Sequence, residues 1–403
     1  MPKWITFRSD SELINAASGL FQDTFGHEPA GVWAAPGRVN LIGEHVDYAG
    51  GVCVPFALEE NTAVAVAPRE DGLLEIASDY EGSVVRATVR LDEVRPGFPA
   101  DWSDYVAGAV WAGLEEGIIE SCSGLSIAIT SDVPVGSGLS SSAALECSVA
   151  VAAYELACGH APDDAARARL VKACIRAENE VVGASTGGLD QNSSLFGRPG
   201  SALVLDFHDG SVRHVPFDIA AHGMVLLIAD TNAPHTLNDG QYASRRGVID
   251  EVQEALTEGG TVRDIPNAVE AAGQWAADNG RDVELVTRRV RHIVEETART
   301  QQAAQALEAE DFDRFRELMY DSHVSMRDLY EITTPELDTA CVAAGEVGAR
   351  MTGGGFGGAI IALIKQEDVD STAEAIASAA AEHGFPEPAF MVARPGQGAR
   401  RLA

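Results

Sequence analysis

The stretch Ile127-Ala128-Ile129-Thr130-Ser131-Asp132-Val133-Pro134-Val135-Gly136-Ser137-Gly138-Leu139-Ser140-Ser141-Ser142-Ala143-Ala144-Leu145 decides the fold. Residues 125–130 alternate apolar with small or polar side chains, the period-two pattern of a strand. From Ser140 to Ala157 the spacing turns helical and stops at Gly159. Between them Gly136 and Gly138 let the backbone turn its N–H groups toward one point. The serines fall where N-cap and first-turn residues lie. Free N–H groups, the positive end of a helix dipole and three hydroxyls together suit a phosphate. The loop is not a P-loop, because Gly-Lys-Ser/Thr is missing. The third glycine of a dinucleotide loop is missing too. An ordinary strand–helix turn with a serine cap is the plainer alternative.

Outward from this stretch, a second helix is expected from Asp164 to Val182, with an apolar stripe of Val171, Cys174/Ile175 and Val181/Val182. Glu178 falls on that stripe, an unusual position for a carboxylate. Segments before residue 130 read mostly as strands, among them 62–67 and 83–89. Residues 203–230 read as strands again, and 242–331 as largely helical. The C-terminal part reads as strand Ala359–Ile364, helix Val369–Ala381 and strand Ala389–Val392, a βαβ unit. The turn-like Asp206-Phe207-His208-Asp209-Gly210 suggests domains of residues 1–208 and 209–403.

The chain has 403 residues, 61 Asp plus Glu against 29 Lys plus Arg, and a net charge of −32. That balance argues against nucleic acid and against anionic membranes as partners. No run approaches the ~18 apolar residues of a membrane span. The first eight residues carry no apolar h-region, so export is not expected and a cytoplasmic location is. The six cysteines form no Cys-x-x-Cys pair and read as small buried hydrophobes. Only three lysines occur, Lys3, Lys172 and Lys365, so an anion site here works through Arg, backbone N–H groups or a metal.

Two further stretches carry chemistry. In Gly37-Arg38-Val39-Asn40-Leu41-Ile42-Gly43-Glu44-His45-Val46-Asp47-Tyr48, four charged or titratable residues crowd a glycine-flanked loop. Glu, His and Asp suit the hydroxyls of a polyol, and Arg38 suits developing phosphate charge. A solvated charged loop is the alternative. In Arg350-Met351-Thr352-Gly353-Gly354-Gly355-Phe356-Gly357-Gly358-Ala359, glycines run directly into a buried strand. A second phosphate-lining loop fits this better than a flexible linker, because a strand follows at once.

Together and in this order, the three stretches resemble the GHMP kinase superfamily, named for galactokinase, homoserine kinase, mevalonate kinase and phosphomevalonate kinase. Residues 37–48 look like the galactokinase signature, Gly138–Ala144 is similar to that family's nucleotide loop, and Gly187-Gly188-Leu189-Asp190-Gln191 resembles its catalytic-aspartate segment. The resemblance implies an α+β fold of two domains, a mixed-sheet N-terminal domain and a ferredoxin-like C-terminal domain with the active site between them. It implies ATP-dependent phosphorylation of D-galactose at the 1-hydroxyl, with Mg²⁺. Asp190 would take the hydroxyl proton beside Arg38. Glu44, His45, Val46, Asp47, Gly187 and Tyr242 would hold the sugar. Gly136, Ser137, Gly138, Leu139, Ser140, Ser141 and Ser142 would cradle the ATP phosphates, with Ser78 and Trp102 lining the nucleotide pocket. Ser142 and Glu178 would bind the metal, which gives the inward Glu178 a reason. The chain departs from the family's usual His-Thr-Asp-Tyr-Asn with His45-Val46-Asp47-Tyr48-Ala49, and Gly188-Leu189 replaces larger residues. A kinase of a related sugar, a non-enzymatic sugar sensor and a mevalonate-type kinase are the competing readings. The retained Ser142-Ala143-Ala144 favours an enzyme over a sensor, and the Gly-Glu-His-Val-Asp segment speaks against the mevalonate type.

Overall fold

The computed structural model describes residues 2–80, 82–184, 186–233 and 238–403, without the side chains of 238 and 239. Its strands are β1 (Lys3–Trp4), β2 (Gly31–Asn40), β3 (Val52–Cys53), β4 (Pro55–Pro68), β5 (Leu73–Tyr80), β6 (Ser83–Arg90), β7 (Leu125–Ser131), β8 (Ser201–Asp206), β9 (Ser211–Pro216), β10 (Met224–Asp230), β11 (Ala349–Thr352), β12 (Ala359–Lys365), β13 (Ala389–Ala393) and β14 (Arg400–Arg401). Its α-helices are α1 (Asp10–Phe25), α2 (Asp104–Glu115), α3 (Ser141–Cys158), α4 (Asp164–Arg176), α5 (Leu189–Phe196), α6 (Asn238–Leu256), α7 (Ala268–Asp278), α8 (Val283–Glu308), α9 (Phe312–Ser325), α10 (Pro335–Ala343) and α11 (Val369–His383).

A six-stranded mixed sheet, β14-β2-β4-β7-β5-β6, carries the Gly136–Ser142 loop beyond the end of β7. Its period-two alternation separates two buried faces. Trp33, Val64, Val66, Ile127 and Ile129 pack with α2, α3 and α4. Ala34, Ala63, Ala65 and Ala128 form the other face, small enough for Leu13, Ala17 and Phe21 of α1 to lie close. The early region is mostly strand, as expected, and α1 and α2 belong to it as well. Helix α1 starts at a capping box of Ser9 and Glu12 and ends at Gly26 in the left-handed region.

The second sheet runs β1-β13-β10-β12-β11. Strand β10 lies between β12 and β13 and is antiparallel to both. The C-terminal βαβ unit is therefore split, with β10 inserted between its two strands. A three-stranded sheet, β3-β8-β9, joins the halves, and the expected boundary at 208/209 falls in its β8–β9 turn. The chain ends cross over: β1 pairs with β13 in the second sheet, and β14 with β2 in the first. One apolar cluster spans both halves, from Val39, Leu41 and Phe56 to Leu226, Ile361 and Phe315. No helix among the described residues is long and apolar enough to cross a membrane.

Candidate active site

A cavity of about 210 Å³ opens where the halves meet. Arg38, Asn40, Glu44, His45, Asp47, Glu178, Gly187, Asp190, Tyr242 and Gly354 are among its lining residues. One water needs only ~10–15 Å³ on such a measure, so the space suits a multi-atom polar ligand.

Arg38 and Asp190, 152 positions apart, form the centre. Arg38 Nε donates to Asp190 Oδ1 at 2.7 Å, and Nη2 reaches the same oxygen at 2.6 Å. Nη1 donates to the Gly138 carbonyl at 2.5 Å. The Ser140 hydroxyl donates to Asp190 Oδ2. Ser140 is the N-cap of α3 at φ 59°, and its side chain does not cap the helix. The first-turn N–H groups of α3 are thus left without a side-chain cap, as an anion site requires. Gly37 brings β2 against this loop, because a Cβ there would stand 2.6 Å from the Leu139 carbonyl.

The loop residues divide their tasks. Gly136 and Gly138 adopt φ of 81° and 73°. The Ser137 hydroxyl bonds Asp230 across the halves, so it serves as a strut. Leu139 buries its side chain in the shared core and offers only backbone to a phosphate. Ser141 and Ser142 open α3, and Ser142 Oγ donates to Glu178 Oε1 at 3.4 Å. The glycine run after β11 reaches the loop directly: a Cβ on Gly353 would stand 3.1 Å from the Gly138 carbonyl. Ser78 pairs with Ile129 shortly before β7 enters the loop, and Trp102 is half-buried beside α2. Neither lines the cavity around Asp190.

Glu178 sits on a π-turn, Ala177–Val182, that continues α4. Gln191 Nε2 donates to its Oε2 at 2.5 Å. Burial, then the charge of Asp190, pushes its carboxyl up to about 7. Glu146, one turn after Ser142, is wholly buried, and burial with the Glu178 charge pushes it well up. Sequence reading missed Glu146, although a carboxylate on an apolar helix face was the signal that had marked Glu178. No group of three His, Cys, Asp or Glu among the described residues is arranged to hold a metal by itself. Ser142 and Glu178 fit a hard cation that takes its other ligands from phosphates and water.

In the loop of residues 43–48, His45 stands at φ 59° and is engaged at both nitrogens. Gly354 O can only accept, so Nε2–H donates to it at 2.9 Å, and Nδ1 accepts from Tyr48 OH at 2.9 Å. Burial holds the ring's pKa down at about 3, so it is neutral. Nε2 thus braces the glycine loop, and Nδ1 ties the ring to Tyr48. Val46 is wholly buried in the core with Ala49 and does not line the cavity, which is why neither needs a polar side chain. Asp47 does line it. Burial and then the Asp190 charge push its carboxyl up to about 6. Gly187 permits that approach, because a Cβ there would run into Asp47 Oδ2. Tyr242 closes the rim, 4.9 Å between centroids from His45. Glu44 is clamped by Arg350, with Gly353 N donating to its Oε1 at 3.1 Å. Sequence reading quoted Arg350 but gave it no role.

A strand-to-helix anion cradle, an Arg–Asp pair at its tip and a polar cavity between two halves define a class, the GHMP-type kinases of small molecules. Three family models match: the galactokinase galactose-binding signature over residues 19–68, the GHMP kinases N terminal domain over 104–198 and the GHMP kinases C terminal model over 303–383. A galactokinase of Streptomyces coelicolor is 42% identical, covering 95% of this chain and 97% of its own. The human galactokinase is 37% identical, covering 88% and 89%. A Lactococcus lactis galactokinase, solved in complex with galactose, superposes with a TM-score of 0.85 at 31% identity, covering 96% of this chain and all of its own. The chain belongs to the galactokinase family. A mevalonate kinase at 18% identity and TM-score 0.61 shares the fold.

Proposed function

We propose that this chain transfers the γ-phosphoryl group of ATP to the 1-hydroxyl of D-galactose, giving galactose 1-phosphate and ADP in galactose catabolism. The observation that carries the reading is the Arg38–Asp190–Ser140 contact at the tip of α3. Asp190 Oδ1 already accepts two N–H bonds, whereas Oδ2 accepts one O–H and keeps a lone pair. The sugar's proton therefore goes to Oδ2. Arg38 holds the carboxylate and faces the phosphoryl group in flight. Phosphoryl transfer depends mainly on positioning and charge stabilisation, and the cradle supplies both through backbone N–H groups. Mg²⁺ held by Ser142 and Glu178 would neutralise phosphate charge. Glu44, Asp47, Gly187 and Tyr242 hold the sugar, and Ser78 and Trp102 flank the nucleotide base. Residues 1–208 supply the cradle and 209–403 the closing wall, each half taking in one terminal strand of the other. The six cysteines are free, which suits a reducing compartment and a cytoplasmic location. ADP release over galactose, N-acetylgalactosamine, arabinose, glucose and mevalonate tests the reading. Turnover confined to mevalonate, or to no sugar, overturns it.

Asp47 gives the reaction a pH signature. A hydroxyl that donates to Asp47 favours the carboxylate, so galactose binding tightens as pH rises through about 6. The folding contribution has the opposite sign: a raised carboxyl stabilises the folded state below 3.8, and that contribution is lost as pH rises to about 6. Below pH 6 the galactose Kd should rise by up to about tenfold per unit, and Asp47→Asn should flatten the profile. Calorimetry without nucleotide reads this directly. An equally steep profile in the variant would assign the titration elsewhere.

Glu178→Gln should raise the Mg²⁺ needed for half-maximal turnover by about 10–100-fold. It should also raise the thermal midpoint of the metal-free protein, since it removes a buried carboxylate. A Mg²⁺ titration matching wild type would remove Glu178 from the metal site.

A further inference from the structure

Asn40 is the last residue of β2 and 1% exposed, and it lines the cavity. Neither Nδ2 nor Oδ1 of its amide has a partner among the described residues, and no other buried side chain there leaves two polar atoms unpaired. A buried amide left unmade is costly and calls for a partner. The amide is also held in place. The Asn40 carbonyl accepts from Thr352 Oγ1 at 2.9 Å and from Arg350 Nη1 at 3.4 Å, so β11 pins the backbone. Strand alternation fixes the direction, because Val39 and Leu41 enter the shared core while Arg38 and Asn40 take the opposite face. Two residues along a strand is about 6.7 Å, so the amide stands one step from the reacting Arg38–Asp190 pair.

We infer that the Asn40 amide is a sugar-binding group that hydrogen-bonds a hydroxyl of the phosphoryl acceptor other than the one phosphorylated. A hydroxyl can both donate to Oδ1 and accept from Nδ2. Asn40 thereby offers both halves of a hydroxyl's bonding beside Glu44 and Asp47, carboxylates that only accept when charged. This inference rests on the sugar-kinase reading above and deepens it.

The test is calorimetric binding of galactose to Asn40→Leu, close in volume, and to Asn40→Ala, with thermal unfolding in parallel. Galactose should bind each variant about 5- to 100-fold more weakly than wild type. A non-hydrolysable ATP analogue should bind within about twofold of wild type, and the sugar-free midpoint of Asn40→Leu should equal or exceed that of wild type. In a 2-, 3-, 4- and 6-deoxygalactose panel, the sugar lacking Asn40's partner should bind wild type and variant alike, while the others keep the loss. Unchanged galactose affinity in both variants overturns the inference. So does a fall in midpoint with equal loss of both ligands, which marks a structural role. If wild type itself binds no galactose, the sugar reading falls and takes this inference with it. Wild-type binding with indifferent variants sinks the inference alone.

Discussion

Asp190→Asn should lower kcat by about 10²–10⁴-fold while leaving the fold intact, the range a positioned base contributes. The substitution keeps the shape of the side chain and one acceptor oxygen for Arg38. It replaces Oδ2, the oxygen with capacity left, by an NH₂ group that cannot take a proton. Ser140, whose hydroxyl donates to that oxygen, must turn away or accept instead. Arg38 then lies beside the phosphate cradle without a countercharge, so nucleotide should bind as well as before or better. The expected pattern is therefore a drop in kcat with galactose and nucleotide Kd values within a few-fold of wild type. Steady-state kinetics and calorimetry on the same preparation check it. Near-normal turnover in a folded variant would mean that the hydroxyl loses its proton without Asp190.

The parts of this site that were legible in the sequence are those built locally. Gly136, Gly138 and the serines lie within one loop, and the backbone they need follows from glycine's freedom and helix capping. Glu178 was legible because an apolar stripe has no other use for a carboxylate. The residues missed are joined across long separations. Ser137 meets Asp230, Glu44 meets Arg350 and His45 meets Gly354, and no local pattern encodes those meetings. The resemblance places Val46 with the sugar-holding residues, yet a loop this buried must also fill the core, and Val46 does so. In the fold, α1 carried its signals in Ser9, Glu12 and Gly26, but a reading fixed on β-branched runs passed over them. Helix α2 is apolar on nearly every side and lacks the stripe that identifies an exposed helix. The strands of two residues that cross the halves, β1 and β14, are too short for any period, and the insertion of β10 into the C-terminal unit is topology rather than pattern.

Arg350→Met should lower stability by about 3–5 kcal/mol and abolish measurable galactose binding, through a single cause. Arg350 is wholly buried on β11, where its Nη2 holds Glu44 Oε2 and its Nη1 reaches the Asn40 carbonyl. Glu44 is itself 3% exposed, and the other described neighbours of its carboxylate are Gly353 N at 3.1 Å and Thr352 Oγ1 at 3.5 Å. Without the guanidinium the Gly353 bond must carry a buried negative charge nearly alone, because the one Thr352 hydroxyl proton lies closer to the Asn40 carbonyl, and burial already pushes the Glu44 carboxyl up. The acid would then protonate or leave its position, and the glycine loop it anchors through Gly353 would loosen from the cavity. The double variant Arg350→Met/Glu44→Gln separates the consequences, because removing both charges leaves no orphan. It should recover most of the unfolding midpoint and little of the galactose affinity, since the sugar still lacks the Glu44 carboxylate. Recovery of both would mean that Glu44 serves only the fold. Recovery of neither would mean that Arg350 holds β2 and β11 together through the Asn40 carbonyl more strongly than through the ion pair.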